Sequence, residues 1–318
     1  FLRRWNRCQN YKRIYKENET GGQDVIGYIK PNETVRVVKN LTPQQIAIIN
    51  QKDELKEHCR KLGGFIHVCY VKNELLFNNL NLTRPTITRL IYLATYIDYN
   101  NRDSNLLVKY GKNHKLEPLK KKDIENLMRL SNPSFLKFFN EIKEKGILFE
   151  DNKKYYLSNK YFSKGQSIYK KKEYTRIFID STRFFYQNST SRQHTQLSYV
   201  FQLIPFLHYE TNILCRNPDE LDIDNLDILS LRDICELLKI KTSYEQMSRV
   251  ENSLLKFKLI FNDKKYHLFK RIIVKGEDEK VDYFITNPLL IWKGNDVDKN
   301  KETIEKLYFS TKKNKVSH

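Results

Sequence analysis

One stretch of this chain occurs twice, and that recurrence limits the possible folds more than any other feature. The segment 119–165 reads as a short helix, a turn, a second helix and a β-hairpin, and a divergent copy follows at an offset of 110 in the numbering. Leu231–Leu238 repeats the first helix, with Asp233-Ile234 matching Asp123-Ile124 at that offset. Upstream, Leu203–Tyr209 (LIPFLHY) matches Leu93–Tyr99 (LATYIDY) at the same offset. Beyond the turn the spacing widens to 112, pairing Phe135 with Met247, Phe138 with Val250, Ile142 with Leu254 and Asp151 with Asp263. Past the hairpin tip it is 111, pairing Lys154-Tyr155 with Lys265-Tyr266 and Leu157 with Leu268. Small length changes placed in turns are what a duplicated supersecondary unit tolerates.

Spacing predicts the elements. Ile124, Leu127 and Met128 share one face of the first helix, and Asp123 suits its positive end. Asn132 is placed to cap the second helix, with Pro133 at its first position, where a missing N–H costs nothing. Phe135, Phe138, Phe139 and Ile142 then form an apolar stripe, while Ser134, Lys137 and Glu141 face away from it. Gly146 ends the helix, and two apolar, β-rich flanks around Asp151-Asn152-Lys153-Lys154 predict the hairpin. Ahead of each helix pair the pattern predicts a strand and a buried helix: Phe65–Val71 with Thr86–Tyr99, and Arg176–Ile179 with Gln193–Tyr209. A further helix is expected over 42–61. The second hairpin reads as longer, Tyr266–Val274 against Val281–Ile285.

The expected fold class is α+β: two tandem winged-helix domains (helix-turn-helix plus β-wing) with an N-terminal basic extension. Boundaries fall at 1–63 for the basic, helical extension, 64–170 and 174–295 for the two self-contained winged-helix domains, and 296–318 for a basic C-terminal tail. Lys170-Lys171-Lys172-Glu173 reads as the linker.

Charge narrows the partners. Lysine and arginine total 57 against 38 acidic residues, a net +19, which argues for a polyanionic partner, nucleic acid or an anionic membrane face. Residues 81–173 hold 20 basic and 10 acidic residues, whereas 174–318 hold 23 and 20, so the first copy is the expected main electrostatic contact. A run of Arg3, Arg4, Arg7, Lys12, Arg13 and Lys16 interleaved with Trp5, Tyr11 and Tyr15 reads either as an arm along phosphates or, preferred because charge runs alone are weak evidence, as a solvated tail or an edge packed on the first domain. Five cysteines without a CxxC pair fit a reducing compartment, and no apolar run reaches the length of a membrane span. These features predict a soluble protein of a reducing, cytosolic or nuclear-type compartment, with no membrane partner.

A helix fits the major groove, and a helix-turn-helix offers the start of its second helix to base edges. That assigns Asn132, Ser134 and Lys137 in the first copy, and Ser243, Gln246, Arg249 and Asn252 in the second, to base edges. Lys137 and Arg249 occupy matching positions, and Lys137→Ala is expected to hurt binding more than Arg249→Ala. Lys120, Lys121, Lys122, Lys153, Lys154, Lys264 and Lys265 suit phosphates, which fix position without reading sequence.

Other chemistry finds little support. His58, Cys59, His67 and Cys69 lie close in sequence, but zinc sites prefer tighter pairing, and two of the four sit on an alternating strand. No phosphate-cradling loop surrounds Gly21-Gly22 or Gly63-Gly64, and no activating group singles out a nucleophile among the 20 tyrosines. The expectation is a protein that is not an enzyme and needs no cofactor or metal.

Each copy closes on a related motif, Asn159–Gly165 (NKYFSKG) and Asn287–Gly294 (NPLLIWKG). With a buried helix ending in Tyr99 or Tyr209, this pattern resembles the winged-helix family of Firmicute plasmid and phage replication proteins typified by RepL, over about residues 64–295. It resembles MarR-like regulators more loosely. The tandem arrangement is similar in architecture to plasmid initiators that bind origin repeats as monomers. The resemblance implies a phage or plasmid protein of the bacterial host cytoplasm, associated with the nucleoid, that binds specific double-stranded DNA at an origin, with a homodimer or the replication or transcription machinery as further partners. Promoter binding by a transcriptional regulator, and a winged-helix scaffold for proteins, are the alternatives.

Overall fold

A computed structural model describes residues 12–17, 23–29, 42–70, 80–99, 105–111, 113–164, 174–261, 264–275 and 280–301. It is mixed α+β with small antiparallel sheets. Two compact units comprise residues 1–50 and 51–318. In the first, β1 (Lys12–Glu17) and β2 (Gln23–Ile29) pair antiparallel, from Lys12 opposite Ile29 to Glu17 opposite Gln23. An arm or tail reading of this region missed that hairpin; Arg3, Arg4, Trp5, Arg7 and Tyr11 lie outside the described residues, as do the linker and the tail beyond 301. The helix expected over 42–61 is α1 (Pro43–Lys61).

The second unit is built on a four-stranded antiparallel sheet in the order β8–β3–β9–β14, formed by Phe162–Ser163, Phe65–Cys69, Tyr174–Phe178 and Ile291–Trp292. Ile66, His67 and Val68 are consecutive and all buried, so both faces of the sheet are covered. At its centre His67 pairs with Arg176. On one side His67 pairs with Ser163 and Val68 with Phe162; on the other Arg176 pairs with Trp292 and Ile177 with Ile291. Exchanging β3 with β9 and β8 with β14 about the His67–Arg176 pair returns the same ladder, a two-fold relation between the copies. The expectation of self-contained copies therefore fails. Each contributes half of one sheet, and their buried residues join in one core.

The helices α2 (Arg84–Ala94) and α6 (Ser191–Gln202), one from each copy, pack on each other. Thr88 Oγ1 donates to the His194 carbonyl at 2.7 Å, and the Tyr92, Tyr186 and His194 rings stack at 3.8 and 4.4 Å. Both helices stop earlier than their apolar patterns suggest, because the chain turns extended to bridge Ile97 to Leu107 and Leu207 to Leu214. Between β9 and α6 stands an unanticipated helix, α5 (Ile179–Gln187), which follows its strand with no breaker residue to announce it.

Each copy then adds a helix pair and a further hairpin, preceded by a short hairpin in the first copy and by the isolated bridge Cys215–Ile228 in the second. In the first, β4 (Val108–Tyr110) and β5 (Leu116–Pro118) precede α3 (Lys121–Met128), α4 (Asn132–Glu144), β6 (Leu148–Asp151) and β7 (Lys154–Leu157). In the second, α7 (Leu231–Leu237) and α8 (Tyr244–Leu255) lead to β10 (Lys258–Phe261), β11 (Lys264–His267), β12 (Phe269–Lys275) and β13 (Lys280–Thr286). Asp151 sits opposite Lys154 and Phe261 opposite Lys264, so the hairpins match at an offset of 110, rather than the 112 and 111 expected from sequence. The single long wing strand expected from Tyr266 to Val274 is also broken, at Leu268, into two separate hairpins.

The extra hairpin shifts everything after it. The Leu157 N–H donates to the Asn105 carbonyl as that of Thr286 does to Asn212, and Ser158 and Asn287 accept equivalent bonds from Phe162 and Ile291. From Leu157 and Thr286 onward the offset is therefore 129. Asn287 matches Ser158, the neighbour of Asn159, and not Asn159 itself. Ser158 Oγ accepts from the Lys160 N–H at 3.3 Å and Asn287 Oδ1 from the Leu289 N–H at 2.9 Å, two oxygens making the same turn.

Candidate nucleic-acid interface

Matching contacts orient the helix pairs. Asp123 accepts the Lys120 N–H at 2.9 Å at the start of α3, as Asp233 accepts that of Ser230 at 2.9 Å at the start of α7. Each aspartate also holds a cation from the preceding extended segment. Lys109 lies 2.5 Å from Asp123, and Arg216 pairs with Asp233. Partial burial pushes the Asp123 carboxyl up, but the Lys109 ammonium and the Lys120 N–H outweigh it and hold the group below its ordinary value. The turn out of each first helix is left-handed at a basic residue, Arg129 (φ 48°) and Lys239 (φ 53°).

In α4, Phe135, Phe138, Phe139 and Ile142 are buried, as the stripe predicted. Ser131 is the N-cap, so Asn132 falls inside the first turn and does not cap; its amide reaches Glu125 at 3.4 Å. Ser134 accepts from Ser131 Oγ at 3.0 Å, and Lys137 stands exposed. Glu141 does not face away with them. It caps α2 instead, accepting from the Thr83 N–H at 2.7 Å and Thr86 Oγ1 at 2.6 Å. The second helix of copy one is thereby pinned by a carboxylate to the helix that packs against copy two.

Copy two gathers its candidates more tightly. Gln246, Arg249 and Asn252 line one groove of about 590 Å3, together with Arg84 from the start of α2, Arg192 from the start of α6 and Lys256. Four cations thus surround the exposed face of α8. Arg84 is fixed by donating to the Leu238 carbonyl at 2.9 Å and by lying 5.3 Å over the Tyr199 ring. Arg249 is exposed, with Glu245 3.8 Å away. Ser243 stands at the N-cap position of α8, outside this groove and without a side-chain cap bond, and the next residue, Tyr244, is 87% exposed. Arg84, Arg192 and Tyr244 were not singled out from sequence. A signal was available for the arginines, since each lies within two residues of an N-cap threonine, Thr83 or Thr190.

The phosphate candidates divide. Lys120 occupies the N-cap position of α3 without a side-chain cap bond, Lys122 pairs with Glu125 at 3.0 Å, and Lys121 lies 5.0 Å over the Phe139 ring. Lys153 and Lys154 are exposed at the first hairpin, whose tip residues Asn152 and Lys153 are both left-handed (φ 48° and 61°), as a tight two-residue turn requires. Lys265 is exposed at the second hairpin, while the side chain of Lys264 lies outside the described residues.

Among the described residues, no three His, Cys, Asp or Glu side chains are grouped so as to hold a metal ion. His58 packs edge-on against Phe178 and Trp292, and Cys59 is buried in the core. No described helix is long and apolar enough to cross a membrane. Compared with protein families, curated proteins and solved structures, the chain matches none.

Proposed function

We propose that the chain is a sequence-specific double-stranded DNA-binding protein that carries two winged helices and acts as a replication initiator at phage or plasmid origin DNA. In this reading α3–α4 with β6–β7, and α7–α8 with β10–β11, are the helix-turn-helix and wing units. The observation that carries it is the groove in which Gln246, Arg249 and Asn252 of α8 share one basic wall with Arg84, Arg192 and Lys256. Base-reading side chains set among phosphate-sized charges are what duplex recognition needs. Catalysis has no part in this role.

The two-fold relation between the copies adds a specific expectation. A single chain would read two half-sites in opposite directions, as a two-fold dimer does. Selection of bound sequences from random duplex DNA, followed by salt titration of the winner and a scrambled duplex, tests this. An enriched pair of half-sites with a steep salt slope supports it, and mapping that site to an origin supports initiation. A site confined to promoters would turn the reading to transcriptional control. Equal binding of both duplexes with no enriched sequence would refute specific recognition.

A further inference from the structure

Away from the helix pairs, a second cavity of about 770 Å3 opens at the two-fold axis of the shared sheet. His67 of β3 and Arg176 of β9, the central pair of that sheet, both line it. So do Lys52, Lys56 and Arg60, which follow one another at every fourth position and share one face of α1. Among the described residues no aspartate or glutamate lines the cavity.

The cations are not equivalent. Arg176 is buried and spends its guanidinium on the Gly294 carbonyl at 2.6 Å and Asn295 Oδ1 at 2.5 Å, while Arg60 is held by Glu57 at 2.8 Å. Lys164 donates to the Ile97 carbonyl at 2.7 Å. Lys52 and Lys56 pair with no carboxylate among the described residues. They are the cations left for a ligand. The same lining holds three aromatic rings, Phe65, Tyr174 and Tyr99, the last 63% exposed. Tyr174 is steadied by the His67 ring, edge-on at 4.5 Å.

We infer that this cavity binds a nucleoside phosphate, with the phosphates on Lys52 and Lys56 and the base against Tyr99, Phe65 and Tyr174. Unpaired ammonium groups in a row supply charge for a polyphosphate, and flat rings supply stacking surface that inorganic phosphate has no use for. The volume falls in the range of small-molecule sites and excludes a duplex. Because β3 comes from one copy and β9 from the other, such a ligand would touch both halves of the unit at once. The inference does not depend on DNA binding.

Calorimetric titration of the full chain with ATP and, separately, with tripolyphosphate tests it. ATP should bind one to one, and tripolyphosphate about tenfold more weakly because it lacks the base. Lys52→Glu with Lys56→Glu should weaken ATP about tenfold or more, and Tyr99→Ala should weaken ATP while leaving tripolyphosphate unchanged. All three positions are exposed, and a circular dichroism melt checks that the variants fold. Lys137→Glu, on α4, should leave ATP binding unchanged. Absence of ATP binding, survival of binding in the double variant, equal affinity for tripolyphosphate, or equal loss in Lys137→Glu would each overturn the inference. A single-stranded oligonucleotide that binds far more tightly than ATP through Lys52 and Lys56 would also overturn it, in favour of a strand-binding groove.

Discussion

Asn105 and Asn212 hold the same place in the two halves, whereas the hairpins that follow the second helices do not. Both asparagines are buried and left-handed, at φ 44° and 56°. Each donates its amide to the backbone of its closing strand, Asn105 to the Phe162 carbonyl at 2.6 Å and Asn212 to that of Ile291 at 2.7 Å. Between those fixed points the second copy carries the extra hairpin β12–β13. Arg271 of that hairpin reaches Glu251 of α8 at 2.5 Å and forks onto Asp282. Among the described residues the first copy has no such hairpin and holds α4 through Glu141 on α2, while at the matching position of the second copy Ser253 of α8 accepts from Gln196 of α6 at 3.1 Å. Duplicated units thus keep the ties to the shared sheet and vary the support of the outward helix.

If the shared sheet and the α2–α6 packing hold the halves together, acid should separate them, and this is the largest effect expected. His67 lies in the sheet and His194 in the ring stack, both buried. Burial first, then the nearby Arg176 or Arg89 charge, lowers their pKa to about 3 and about 4. Their folded values lie below the ordinary 6.5, so the folded state takes up protons less readily. Their contribution is complete above pH 6.5 and is lost as pH falls toward 4, by on the order of 5 kcal/mol for the pair. Thermal melts from pH 7 to 4 measure the slope. His194→Phe, which keeps the stack but cannot charge, should flatten it; an unchanged slope would exclude His194 from the coupling.

Next in size is the asparagine pair. Asn105→Ala or Asn212→Ala removes a buried hydrogen bond and leaves alanine in a left-handed conformation, costing about 3 kcal/mol each. Chemical denaturation should show similar losses for both. A much smaller loss in one would mean that the two halves are not tied to the sheet in the same way.

Much of this arrangement was legible in sequence. The stripe in α4, the Asp123–Asp233 match and the strand ahead of each helix all follow from apolar period or a fixed residue type. The two-fold was not, because pairing between strands so far apart in the chain leaves no local trace: Phe65–Cys69 reads the same paired with any edge. Nor was the true alignment after the second helix, since Leu157 and Leu268 are both apolar and match by chance at 111, while the hydrogen bonds equate Leu157 with Thr286. The repeat Asn105-Leu106-Leu107 with Asn212-Ile213-Leu214 was readable in principle. It was hidden because its spacing, 107, departs from that of the helices. Glu141 looked solvent-facing by helical period and became a cap only once α2 was folded against it. In the candidate site the α8 side chains were found from helix position, whereas Arg84 and Arg192 come from helices distant in sequence.

The DNA prediction sharpens the same contrast. Charge balance puts the first copy ahead for overall attraction, but the basic groove lies along α8 of the second. On the proposed function, Arg249→Ala should lose about 1–3 kcal/mol of discrimination between the selected and a substituted site. Lys137→Ala should weaken all duplexes more evenly and reduce the salt slope by about 1. Fluorescence anisotropy on paired duplexes at several salt concentrations separates the two. Uniform weakening in Arg249→Ala, with lost discrimination in Lys137→Ala, would reverse the roles of the copies.

The smallest effect concerns the turns between paired helices. Arg129 and Lys239 both sit in the left-handed region, where an L side chain crowds its own carbonyl at a cost of roughly 1–2 kcal/mol. Glycine relieves that crowding but gives the unfolded chain more freedom, so Arg129→Gly and Lys239→Gly should each raise stability by a net of only about 0.5 kcal/mol. Neither side chain has a role in the core, as both are exposed. If they persist at these turns for the sake of a phosphate, each glycine variant should gain stability and lose affinity for every duplex alike. Stability gained without any loss of affinity would assign the two cations to solvent, and would leave the groove beside α8 as the place where the second copy meets DNA.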